Sequence, residues 1–167
     1  MSKFYLTTGL TMSSDETYDG KFFFRKILAK SETGYNEFQI AKILLENPTK
    51  NVVQIYKISE RFIDMELLET QILFDRSVRL KIRKIKEFLQ NLGIMYIDWK
   101  MDNFGIDEEG NLKIFDFDCS GIIDAKTNSW ILRPPLYFNY KNAVDNGMKT
   151  PKEIDDYCFD RFLNTVF

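Results

Sequence analysis

Val78, Ile82, Ile85, Leu89 and Leu92 recur at steps of four, three, four and three. That spacing commits the middle of the chain to a helix over Ser77–Leu92 with one buried stripe. Gly93 follows where a helix-terminating glycine belongs. The stripe needs something to cover, and what precedes it is of another kind. Lys21 to Leu28 (KFFFRKIL) alternates, placing Phe22, Phe24 and Lys26 on one face of a strand and Phe23 and Arg25 on the other. Val52–Ser59 and Phe62–Leu68 read as two further strands, and Lys3–Thr8 as a short one before a polar, turn-rich stretch to Gly20. Ile40, Ala41, Ile43 and Leu44 mark a helix over Tyr35–Glu46 that Pro48 ends. A small sheet carrying one helix, followed by a second half that opens with a strong helix, is an α+β arrangement.

Beyond Gly93 the pattern shortens. Ile94–Ile97 precedes a loop of charged and amide residues. Phe104–Ile106 and Leu112–Phe115 form a hairpin around the turn sequence DEEGN. From Asp116 the chain reads as irregular through Arg133-Pro134-Pro135, and it closes with a helix from about Thr150. No internal repeat or low-complexity tract interrupts this order.

Composition narrows the chemistry. The chain has 167 residues, the length of one domain, so residues 1–167 are expected to fold as a single domain. Fifteen Phe, eight Tyr and two Trp argue against disorder. With 23 Lys+Arg against 25 Asp+Glu the net charge is −2, which argues against nucleic acid as a partner. Six cations lie along 76–86, which is read as a solvated helix face. There is no histidine, so Ser-His-Asp and Cys-His catalysis and histidine-ligated zinc are excluded. Two cysteines, Cys119 and Cys158, make no disulfide framework and suit a reducing, cytoplasmic compartment. The first twenty residues lack a charged start followed by an apolar run, and no apolar run approaches the roughly 18 residues needed to span a bilayer, so no signal peptide and no membrane partner are expected.

The informative stretch is YIDWKMDNFGIDEEGNLKIFDFD, residues 96–118. It sets Asp98, Lys100 and Asn103 in one loop and returns Asp116 after a hairpin. Asn103 and Asp116 offer the neutral and charged oxygens that Mg²⁺ favours, alongside phosphates and water. Asp98 can accept a proton from a hydroxyl, and Lys100 can neutralise a phosphate as it moves. This is equipment for phosphoryl transfer, where catalysis is mostly positioning and charge neutralisation.

The order Asp-x-Lys-x-x-Asn, followed by Asp-Phe, resembles the protein-kinase pattern, with steps of five (98 to 103) and thirteen (103 to 116). The resemblance extends over nearly the whole chain and implies a two-lobe kinase-like fold, with residues 1–68 as a sheet-bearing N-lobe and 69–167 as a reduced, C-terminally truncated helical C-lobe. It also implies ATP and Mg²⁺ as cofactors, and the hydroxyls of a protein substrate (a host protein, if the chain is viral or an effector) as acceptors. Lys26 stands where the family's Val-Ala-Ile-Lys lysine contacts phosphates, and Glu37 matches its ion-pair partner. Met65-Glu66-Leu67-Leu68 resembles the hinge, with Met65 as gatekeeper and the Glu66 carbonyl and Leu68 amide toward adenine. Asp98 and Lys100 take the catalytic roles, and Asn103 and Asp116 hold the metal. Leu132 to Leu136 resembles the end of the activation segment, and Ile154-Asp155-Asp156-Tyr157 the start of the family's buried helix. Kinases of large DNA viruses look most similar.

Departures qualify this picture. Gly9 is alone where a glycine-rich loop belongs, so nucleotide binding is expected to be weaker. Tyr96-Ile97 replaces His-Arg, so activity should not require activation-loop phosphorylation. Asp118 replaces the glycine of Asp-Phe-Gly, adding a carboxylate near the metal. Leu136 replaces a glutamate whose arginine partner lies in the family's missing last helices, as expected if the short form is the natural one. Phe24 and Gly105 suggest a large roof and an absent floor that keep an adenine slot at constant volume. The rival reading is a pseudokinase that captures a partner protein, with Phe24 filling the slot. A small-molecule kinase of the aminoglycoside type shares the Asp and Asn spacings, but Lys100 argues against it.

Overall fold

The structure is a computed structural model that describes residues 17–167. The strand expected over Lys3–Thr8 and the candidate Gly9 lie outside the described residues. The described chain is mixed α+β, with small antiparallel sheets and four α-helices. It forms two compact units: residues 17–72 with Phe104–Phe115, and Leu73–Asn103 with Asp116–Phe167.

In the first unit, β1 (Phe23–Ile27), β2 (Ile55–Ile58) and β3 (Phe62–Glu66) form an antiparallel sheet in the order β1-β3-β2. The alternation of β1 sets its two faces. Phe24 is buried on the side of Lys26, while Arg25 lies directly across from Asp64 on β3. Asp64 is fully buried and accepts from Arg25 Nε at 2.7 Å, Arg25 Nη2 at 2.8 Å and the Tyr18 hydroxyl at 2.7 Å. A carboxylate so enclosed is tolerable only with both oxygens satisfied. Helix α1 runs Glu32–Glu46, three residues longer at its start than its apolar stripe predicts, because polar first-turn residues carry no hydrophobic periodicity. The buried face of α1 includes Ile40, Ala41 and Leu44, and helical spacing puts Glu37 on that same face.

The DEEGN hairpin joins β5 (Phe104–Ile106) to β6 (Leu112–Ile114), and it belongs to this first unit. Glu69 and Ile106 exchange backbone hydrogen bonds at 2.9 and 2.8 Å, and the Val53 N–H donates to Ile114 O at 3.0 Å. Close approach at this seam explains Gly105, since an added Cβ would sit 2.7 Å from the Leu68 Cβ.

The second unit is built on α2 (Arg76–Asn91), whose Ile82, Ile85 and Leu89 are fully buried. Each contributes about 1.5–3 kcal/mol of hydrophobic burial. Asp75 caps the helix, accepting from Ser77 N at 2.8 Å and Val78 N at 3.1 Å. Gly93 ends it at φ 78°.

Two expectations need correction here. The stretch after Asp116 is not irregular. β4 (Ile94–Met95) pairs with β7 (Gly121–Asp124), which turns into β8 (Ser129–Leu132), giving a three-stranded antiparallel sheet in the half expected to be helical. Strands of two to four residues carry too little alternation to register. The turn signal was nonetheless present, because Asp124 accepts from Lys126 N at 2.8 Å and Thr127 N at 3.3 Å. Helix α3 (Phe138–Asp145) was also missed, since only Tyr140 and Ala143 on it are buried. The closing helix α4 (Pro151–Val166) begins as expected, with Thr150 and Glu153 forming a reciprocal cap and Pro151 in its first turn. No helix among the described residues is long and apolar enough to cross a membrane.

Candidate functional site

The loop after β4 is held in an unusual backbone shape. Ile97 sits at φ 69°, where a β-branched residue is strained by about 1–3 kcal/mol. Around it the Asp98 N–H donates to Tyr96 O at 2.8 Å and the Trp99 N–H to Ile97 O at 2.9 Å, two tight turns in succession. The strain is supported from below. Asp155, fully buried on α4, accepts the Ile97 N–H at 2.9 Å and Trp99 Nε1 at 2.8 Å on one oxygen, and Gln90 Nε2 at 2.9 Å on the other. Burial pushes the Asp155 carboxyl above its usual range, against the pull of these donors. Tyr96, Trp99, Phe117 and Phe159 close the packing, with edge or tilted ring contacts at 4.8–5.3 Å. Ser120 Oγ donates to Tyr96 O at 3.0 Å.

The outcome is a placed carboxylate. Asp98 Oδ2 accepts from Lys100 Nζ at 3.0 Å and Asn103 Nδ2 at 3.2 Å, and Asp98 Oδ1 accepts from Asn139 Nδ2 at 3.2 Å. Asn103 Nδ2 also donates to the Asp98 backbone O at 3.0 Å. Desolvation pulls the Lys100 ammonium down, but the Asp98 hydrogen bond and charge, with Asp116 beyond them, hold it above the ordinary lysine value. Asp116 is half-buried at φ 64°, a second non-glycine residue in the left-handed region within this unit. One ligand atom from each of Asp98, Asp118 and Cys119 lies within 4.8 Å of the others. Burial first, then the charges of Asp118, Asp98 and Asp116, drive the Cys119 thiol far up, which favours the thiol over the thiolate. Both cysteines are free, and burial pushes Cys158 up to about 12. A cavity of about 330 Å³ opens beside Asp98 and Lys100, walled by Pro135, Tyr137, Phe138 and Tyr140.

In the first unit, Lys26 Nζ donates to Glu37 Oε2 at 2.8 Å, with side chains 17% and 5% exposed. Phe24 and Met65 face each other across the β1–β3 ladder, and both are buried. The Glu66 N–H donates to Gln54 O at 2.9 Å, while its carboxylate accepts from Gln54 N at 2.7 Å and pairs with buried Lys113 at 2.5 Å. Leu68 is buried and occupies the space beside Gly105, so that glycine serves the close packing of its hairpin against the Leu68–Glu69 segment.

Sequence reasoning did not single out Asn139, Trp99 or Ser120, and it named Asp155 only as part of a helix. An acid set among the apolar stripe Ile154, Cys158, Phe159 and Phe162 of a well-capped helix was the available signal for Asp155, whereas nothing local marks Asn139. No protein-family model matches the chain, and no curated protein matches its sequence.

Proposed function

We propose that this chain is a Mg²⁺- and ATP-dependent protein kinase that transfers a terminal phosphoryl group to Ser/Thr hydroxyls. The observation that carries the reading is the Asp98 carboxylate, gripped on both oxygens and accompanied by Lys100 at 3.0 Å. An oriented carboxylate accepts the proton of an acceptor hydroxyl as the new P–O bond forms, and the adjacent ammonium neutralises charge on the transferred group. Asn103 spends its Nδ2 on Asp98, which leaves its Oδ1 as the atom for a cation. With the Asp116 carboxylate this is a hard-oxygen pair of the kind Mg²⁺ prefers. Magnesium held there supplies charge neutralisation at the phosphates. In the first unit, Lys26 is the phosphate-contacting cation, and Glu37 fixes its ammonium. The Tyr96-Ile97 pair offers no cation for a phosphorylated loop, so turnover proceeds without that modification.

The test is transfer of label from ATP to a generic protein acceptor, or to the chain itself. Asp98→Ala should lose about 10²–10⁴ of the rate with its unfolding transition unchanged. Equal labelling by the variant would remove Asp98 from this role.

One observation favours a second reading, a module that binds a partner protein without turnover. Phe24 is only 1% exposed, leaving no open aromatic face for a base. A rise in melting temperature with Mg-ATP that disappears in Asp116→Asn separates a nucleotide user from an inert scaffold, and turnover itself is decided by the labelling test above.

A further inference from the structure

We infer that Asn139 is a positioning residue for Asp98, acting from α3 to hold the carboxylate oxygen that the catalytic loop leaves unheld. The inference rests on the phosphoryl-transfer reading above. The two Asp98 oxygens are secured differently. Oδ2 is held from within the loop by Lys100 and Asn103, two and five residues away in sequence. Oδ1 is reached from 41 residues away by Asn139 Nδ2 at 3.2 Å.

The support behind Asn139 is specific. It is the second residue of α3, whose Tyr140 and Ala143 are buried, and Cys158 Sγ on α4 donates to its backbone O at 3.5 Å. The same α4 carries Asp155, which holds the backbone of Ile97. One helix therefore stands behind both the backbone of the loop and the residue that aims its carboxylate. Tyr137, Phe138 and Tyr140, the neighbours of Asn139, wall the cavity that Asp98 and Lys100 border, so Asn139 stands where an acceptor would approach.

An amide suits this task. A carboxylate serving as proton acceptor needs one lone pair aimed at the hydroxyl while its plane is held. A neutral N–H donor fixes that plane, carries no charge to compete for the acceptor and cannot itself take the proton. Without it, Asp98 retains its loop contacts on Oδ2 and swings about them, and misplacement on the ångström scale lowers turnover by up to about a hundredfold.

Asn139→Leu retains bulk and removes the donor. Its kcat should fall about tenfold to a hundredfold, with the KM for ATP unchanged. In an Asp98→Ala background the same substitution should cost nothing further, because a residue acting through Asp98 has nothing left to position. Equal fractional losses in the two backgrounds, or an unchanged kcat, would overturn the inference. Asn139→Asp keeps the shape of the side chain and should lose turnover likewise, which covers the case in which the leucine variant folds poorly. If the wild-type chain transfers no phosphoryl group, the functional reading fails on its own. The positioning claim is then decided by a crystal structure of Asn139→Leu: a rotated or multiply placed Asp98 carboxylate supports it, and an unmoved one refutes it.

Discussion

Asp155 Oδ1 accepts the backbone N–H of Ile97 at 2.9 Å across 58 residues of chain. The contact joins a buried carboxylate to a backbone in a strained conformation. Burial costs the carboxylate its hydration, and the loop geometry costs Ile97 torsional energy, yet each supplies what the other needs.

This contact predicts a pH-dependent stability difference. The folded-state pKa of Asp155 is raised above its unfolded value, so the native state binds more protons in the window above the ordinary carboxylate value of 3.8. The stabilisation Asp155 provides is thus fullest below that value and declines as pH rises through the folded pKa. Asp155→Asn removes the titration. Its stability deficit relative to wild type, read from urea unfolding, should be larger near pH 4 than near pH 7. A deficit that grows with pH would contradict the assignment.

The Gly105 seam predicts a steric penalty within the first unit. Gly105→Ala places a Cβ against Leu68 and within 3.2 Å of Glu69 O, and should destabilise the chain by about 1–3 kcal/mol. Leu68→Ala in the same chain should not return that loss, since alanine keeps the Cβ that stands 2.7 Å from the added methyl and the Glu69 carbonyl is backbone. Unfolding curves of the single and double variants measure both. A neutral Gly105→Ala would mean that the position is open and the seam is looser than described.

The Lys26–Glu37 pair predicts a cost that a compensating change recovers. Lys26→Met deprives a 5%-exposed carboxylate of the ammonium 2.8 Å away and should cost about 3 kcal/mol. Adding Glu37→Leu should restore much of that stability while leaving any Mg-ATP melting shift abolished. Recovery of stability together with the nucleotide response would show that the pair serves the fold alone.

Much of the first unit was legible because its signals are local. Alternation along KFFFRKIL separates Lys26 from Arg25, whereas the partnership of Lys26 with Glu37 was expected only from the family resemblance; in the fold Glu37 lies on the buried face of α1 with Ile40 and Leu44. The turn chemistry of DEEGN likewise announced its hairpin, and Asp107 accepts from both Glu109 N and Asn111 N within it. The strands β7 and β8 escaped because four residues with one half-buried face do not make a period.

By itself, then, the sequence determined the helices with long apolar stripes, the strands with two distinct faces, and the gathering of Asp98, Lys100 and Asn103 into one loop, all features whose partners lie within a few residues. Only the tertiary structure decided that Asp155 would hold Ile97, that Asn139 would reach Asp98 Oδ1, and that Leu68 would fill the space beside Gly105. Those are meetings of single polar or small residues across 37 to 58 positions of chain, and such residues leave no periodic trace. Their positions follow from how whole elements pack, which is a property of the buried surfaces together and not of any short stretch of chain.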